Sequence, residues 1–170
     1  MIQNDLQQIR LGYLRCVLSE RWPVPSRIPT LLACSRDSNV TAVTFGQLGF
    51  RVEEMNSDDP PESLRQQLPG RMACFDVVCC WDLLEHHDDW QDVVAMLGRA
   101  LRGGGVFFYS VSSRIKGSRR ELRSVLRRVG LSPNRIVGVG SGLRPGNRVF
   151  PQMGYAFRRR DRSAELAGAA

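Results

Sequence analysis

Hydrophobic positions along the chain switch between two spacings. Ile2, Leu6, Ile9, Tyr13 and Val17 recur at steps of three and four, which predicts an amphipathic helix over residues 2–20. A proline-punctuated connection, RWPVPSRIP, follows it. The apolar run TLLAC at 30–34 predicts a strand, SNVTAVTFGQLG at 38–49 a helix that stops at Gly49, and FRVEEMN at 50–56 a second strand. SDDPPESLRQQLPG at 57–70 reads as a loop with one or two helical turns. Over 76–80, Asp76 starts an unbroken stretch of Val77, Val78, Cys79 and Cys80, which suits a central parallel strand covered on both faces. Asp88 or Asp89 then caps a helix with Trp90, Val94, Leu97 and Leu101 on one stripe, and RGGG at 102–105 ends it. VFFYSVS at 106–112 predicts a strand. RRELRSVLRRVG at 119–130 predicts a helix with Leu122, Val125, Leu126 and Val129 inward, and 135–143 and 152–159 read as the final strands. Helices alternating with strands imply an α/β three-layer fold with a mostly parallel sheet. There is no internal repeat, so residues 1–160 are expected to form one domain, followed by a disordered tail at 161–170.

Composition narrows the classes. The hydrophobic content of 42% over 170 residues is enough for a real core. The apolar runs are too short to span a bilayer, and the polar start reads as a helix rather than a signal peptide, which predicts a cytoplasmic chain. Cys16, Cys34, Cys74, Cys79 and Cys80 are odd in number and lack paired C-x-x-C spacing, so we expect reduced thiols rather than disulfides or a zinc site. The net charge of +7 is carried by arginine, Lys116 being the only lysine. Two basic clusters, 113–128 and 157–162, fit either solvated faces or contact with an anionic surface such as the headgroups of the inner membrane. No aromatic side chains are interleaved with these arginines to stack on bases, which argues against a nucleic-acid partner.

The densest chemistry lies in FDVVCCWDLLEHHDDW, residues 75–90, which holds both histidines of the chain. These acids and imidazoles fall at a strand's carboxyl end, the edge where ligands bind in open α/β sheets. If a helical turn begins just after the strand, Asp82, Glu85 and His86 stand at i, i+3 and i+4 and face one way. Two carboxylates and an imidazole suit a divalent cation such as magnesium. His86 could instead act as a general base, since imidazole titrates near neutrality. His87 then points away, structural or solvated. The alternative is that these residues cap the next helix and pair with arginines.

FDVVCCWDLLEHHDDWQDVVAMLGRALRGGGVFFYSVSSR resembles the core of class I S-adenosylmethionine-dependent methyltransferases. More narrowly, QQIRLGYL, ELRSVLRRVGL and VGSGLRPGNRVF with MGYAF are similar to segments of the ubiquinone-biosynthesis O-methyltransferases, which methylate catechol-like hydroxyls on polyprenylated rings. The resemblance implies a Rossmann-like three-layer sandwich with an antiparallel C-terminal strand. It implies S-adenosylmethionine as cofactor and a small hydroxyl acceptor. It also implies a divalent metal held by Asp82, Glu85 and His86, which would acidify and orient that hydroxyl. On the matching positions, cofactor contacts fall to Arg10, Ala33, Ser35, Asn56 and Trp81. For Arg10 the alternative is a surface arginine, and for Trp81 a packing aromatic.

The departures are as informative. The family's glycine-rich turn after its first strand is here LLACSRDSN, with Ala33, Ser35 and Asp37 at the glycine positions. The acid that holds the ribose is Asn56, with Glu53 and Glu54 nearby as substitutes. The insertion after the fifth strand shrinks to SRIKGS. These changes keep a second function class open, a non-catalytic binding or scaffold protein of the same fold.

Overall fold

The structure is a computed structural model that describes residues 2–21, 27–35, 43, 45–56, 61–115, 117–134, 136–140, 142–145 and 152–159. Its helices are α1 (Ile2–Arg21), α2 (Pro61–Gln67), α3 (Trp90–Ala100) and α4 (Arg119–Arg128). Its strands are β1 (Thr30–Ser35), β2 (Arg51–Asn56), β3 (Phe75–Trp81), β4 (Leu101–Val111), β5 (Leu131–Pro133), β6 (Val137–Gly140), β7 (Gly142–Pro145) and β8 (Gln152–Arg158). They form one sheet in the order β2-β1-β3-β4-β8-β6-β7, with β5 also paired to β8. The pairs β2–β1, β1–β3 and β3–β4 are parallel, whereas β8 runs antiparallel to β4. This is the three-layer, mostly parallel sandwich that the alternation of elements implies.

Every residue of β3 is buried, and its side chains alternate between two cores. Phe75, Val78 and Cys80 join Leu32, Cys34, Phe107 and Tyr109 in one core with Trp90, Leu97, Leu122 and Leu126 of α3 and α4. Val77, Cys79 and Trp81 join Leu31, Ala33, Val106 and Phe108 in the other, with Leu11, Tyr13, Leu14 and Val17 of α1. A strand covered on both faces has no polar face to show, which is why it reads as an unbroken apolar run.

At the amino edge of the parallel strands, Asp76 anchors the entry to β3. It accepts from Arg27 Nη2 at 2.5 Å, Arg102 Nη1 at 3.2 Å and the Thr30 N–H at 2.8 Å. Burial alone would raise its pKa, but these donors outweigh burial and hold it below the ordinary carboxylate value.

Four expectations need correction. RGGG is not a helix stop followed by a turn. β4 begins at Leu101 opposite Phe75, and Val106 pairs with Val77, so residues 102–105 bulge out of the ladder. Glycine is required there: a Cβ on Gly105 would lie 2.9 Å from the Asp76 carbonyl oxygen. Asp89 stands at the N-cap of α3 but makes no side-chain cap bond. Its carboxylate instead accepts from Arg65 Nη2 at 2.8 Å, because the guanidinium is the stronger donor. The stripe is also shorter than expected, with Leu101 in the strand. Finally, 135–143 is not one strand: β6 and β7 form a hairpin with Gly140 opposite Gly142. All five cysteines are free. Among the described residues no helix is long and apolar enough to cross a membrane. Of the expected helix at 38–49, residues 43 and 45–47 are helical and the chain turns at Leu48 and Gly49, the latter left-handed at φ 84°, while 38–42, 44 and the tail at 161–170 lie outside the described residues.

Candidate active site

The parallel strands end level with one another. Ser35 of β1 is in register with Asn56 of β2 on one side and with Trp81 of β3 on the other. Three of the expected cofactor positions therefore share one row at the carboxyl edge. Ala33 lies lower in β1, fully buried between Glu54 and Cys79. Asp37 lies outside the described residues.

Just beyond that row, β3 stops abruptly. Asp82 adopts a left-handed backbone with φ 51°, a conformation that aspartate tolerates better than most residues. The turn is held by Ser110 on β4, whose hydroxyl accepts from the Asp82 N–H at 2.8 Å and donates to Asp82 Oδ1 at 3.0 Å. Arg10 reaches the same carboxylate from α1, with Nη2 2.6 Å from both oxygens. Its guanidinium carbon lies 5.4 Å from the centre of the Trp81 ring, within cation–π range. Arg10 is 6% exposed, so it is not a surface arginine. Its Nε is buried and has no partner among the described residues. Trp81 is fully buried and tilted against Phe108 at 6.4 Å.

The expected metal set does not assemble. Among the described residues no group of three His, Cys, Asp or Glu side chains is placed to hold a metal ion. The reason is local geometry. The chain does not enter an α-helical turn after β3. It passes through left-handed Asp82 and then makes a 3-10 turn over Leu84–His86, so the i, i+3, i+4 face never forms. Asp82 is already committed to Arg10 and Ser110. Glu85 is half-buried, with Oε2 lacking a partner among the described residues, and His86 is exposed. His87 is buried at 8% exposure, its Nε2 without a partner among the described residues, and burial lowers its pKa, which favours the neutral imidazole. The residues present therefore do not fit a divalent cation.

Residues 29–109 match the family model for a methyltransferase domain. The matched span runs from the entry to β1 into β4, and so contains the whole carboxyl row as well as Asp82, Glu85 and His86. The fold agrees. A TehB-like S-adenosylmethionine-dependent methyltransferase from Corynebacterium glutamicum superposes with a TM-score of 0.62 at 14% identity, over 92% of this chain and 100% of that one. Magnesium protoporphyrin IX methyltransferase from Synechocystis, solved with bound S-adenosylmethionine, gives a TM-score of 0.62 at 14% identity over 89% and 78%. The 1,6-didemethyltoxoflavin N1-methyltransferase of Burkholderia thailandensis, solved with S-adenosylhomocysteine, gives 0.55 at 18% identity over 92% and 86%. The architecture is thus the class I methyltransferase fold. No curated protein matches the sequence.

Sequence reasoning missed Ser110 and the pairing of Arg10 with Asp82. A signal for Ser110 was present, since it is the one hydroxyl-only polar residue inside the apolar run VFFYSV and it is fully buried. A buried hydroxyl needs a partner. Arg10 and Asp82 stand 72 positions apart, and no local pattern joins them.

Proposed function

We propose that this chain is an S-adenosylmethionine-dependent methyltransferase acting on a hydroxyl of a small aromatic acceptor. The observation that carries the reading is the buried Nε of Arg10, without a partner among the described residues and set beside Trp81 and Asp82 at the carboxyl edge. An orphaned buried donor costs about 1–3 kcal/mol, and a charged group more, so a ligand that supplies an acceptor there is favoured. The carboxylate of the cofactor's methionine part has the right chemistry for a charge-assisted bond. The residues proposed to hold the cofactor are Arg10, Ala33, Ser35, Asn56 and Trp81.

When bound, the cofactor supplies an electrophilic methyl group on its sulfonium. The chain's contribution is positioning and proton handling. Arg10 holds the methionine end while Asp82 and Ser110 keep its guanidinium in place. His86, exposed on the turn after β3, takes the acceptor's hydroxyl proton on its imidazole. Asp82 is already spent on Arg10, so no metal takes part in this scheme. The similarity of the terminal segments to ubiquinone-biosynthesis enzymes supports a catechol-type hydroxyl as the acceptor. With a polyprenylated acceptor, the basic clusters would hold the chain against the headgroups of the inner membrane.

Calorimetric titration with S-adenosylhomocysteine tests the reading. We expect micromolar binding that magnesium does not change and that Arg10→Lys, which lacks the Nε donor, weakens at least tenfold. No detectable binding to folded protein would leave only the scaffold reading.

A further inference from the structure

On the far side of the molecule from α1, Arg119, Arg120, Arg123 and Arg127 of α4, together with Ile136, line a cavity of about 410 Å³. The spacing explains the convergence. Positions 119, 123 and 127 are four apart and 120 is three before 123, so the four guanidiniums share one helix face. Arg120, Arg123 and Arg127 are exposed, and among the described residues no carboxylate pairs with them. The other ion-paired arginines show the contrast: Arg10, Arg27, Arg65, Arg71 and Arg102 each have an acid within reach. The one acid on the first turn of α4, Glu121, faces elsewhere and accepts from Gln91 at 2.6 Å.

A second feature lies beneath this face. Tyr109 of β4 is fully buried, and its hydroxyl has no partner among the described residues. The ring lies across Gly154 of β8, where a Cβ would come within 2.5 Å of the hydroxyl oxygen. It therefore extends from β4 across β8 towards β6, the side on which Ile136 lines the cavity. Burial raises the Tyr109 pKa, and the nearby Arg123 charge partly opposes that rise. Tyr109 thus lies on the same face of the sheet as α4, near enough to Arg123 for that charge to act on it.

We infer that this groove is a binding site for a small phosphorylated molecule carrying two or more negative charges. Guanidiniums recognise phosphate oxygens through paired hydrogen bonds, and several on one concave face suit a compact polyanion better than a flat surface. Ile136 gives the organic part an apolar contact. The inference does not rest on the methyltransferase reading, and it gives to a small ligand the arginines of 113–128 that a polyprenylated acceptor would set against lipid.

The test is calorimetric titration of the full chain with inorganic tripolyphosphate at 150 mM salt, where diffuse charge attraction is screened within roughly 8 Å. We expect one equivalent to bind. The double variant Arg123→Gln/Arg127→Gln should weaken it at least tenfold with its melting temperature retained, because both side chains are exposed. The charge-matched control Arg15→Gln/Arg51→Gln should stay within twofold of the parent. No binding, several equivalents, or equal weakening in the control would overturn the inference. A parallel arm measures co-sedimentation with phosphatidylglycerol vesicles. Vesicle binding that needs Arg123 and Arg127 but resists competition by tripolyphosphate would overturn it in favour of a lipid surface.

Discussion

At the scale of single residues, the decisive contacts are polar groups buried where only one partner satisfies them. Ser110 is such a group, since its hydroxyl both accepts from and donates to Asp82. Ser110→Ala is expected to destabilise the fold by about 1–2 kcal/mol, read in urea unfolding, because the Asp82 N–H loses its acceptor. His87 ties stability to pH. Its folded pKa is lowered, chiefly by burial, so the unfolded chain binds the proton more readily. The stability this contributes is present above the unfolded value of about 6.5 and is lost as pH falls towards the lowered folded value. Melting temperatures should therefore drop between pH 7 and 5, and His87→Leu should flatten that part of the profile. An unchanged slope in the variant would assign the drop to other groups. The chemistry of FDVVCCWDLLEHHDDW was legible as residue types, but its roles were not. Asp82 turned out to be the partner of an arginine, and the two histidines differ in burial although they are neighbours in sequence.

At the scale of elements, glycine and caps govern how strands and helices meet. The bulge at 102–105 lets β4 shift register against β3, and a Cβ on Gly105 would lie 2.9 and 3.0 Å from the backbone oxygens of Asp76 and Arg102. Those atoms cannot move without breaking the ladder. Gly105→Ala should cost about 1–3 kcal/mol in chemical denaturation. The helix α4 is set by Ser118, whose hydroxyl accepts from the Glu121 N–H at 3.1 Å. The S-x-x-E spacing is a capping box, yet the Glu121 carboxylate accepts from Gln91 and so ties α4 to α3. Ser118→Ala is expected to cost about 1 kcal/mol. Helix and strand types were readable in the sequence from the period of their apolar residues. The bulge and the β6–β7 hairpin were not, because both depend on which strand lies alongside.

At the scale of the whole molecule, two cores clamp one sheet, and the chain's thiols report on that packing. Cys34, Cys79 and Cys80 are buried, and burial pushes the Cys34 thiol up to about 12. A native-state reaction with a thiol reagent should label exposed Cys16 quickly and spare these three until denaturant is added. Rapid labelling of all of them would mean that the sheet opens far more often than a packed core allows. The same architecture places the carboxyl ends of β1, β2 and β3 in one row and brings Arg10 of α1 over Trp81.

Read alone, the chain already carried the α/β class, the succession of helices and strands, the central buried strand and the edge at which the chemistry gathers. Those features follow from local period, composition and chain direction, which need no knowledge of distant residues. Packing between distant elements settled the rest: Arg10 and Ser110 capture Asp82, the acids and imidazole among the described residues form no metal site, and four arginines converge on one cavity. Each of these rests on contacts between elements far apart in the chain, or on a single left-handed residue that redirects the backbone, and neither leaves a periodic trace in the sequence.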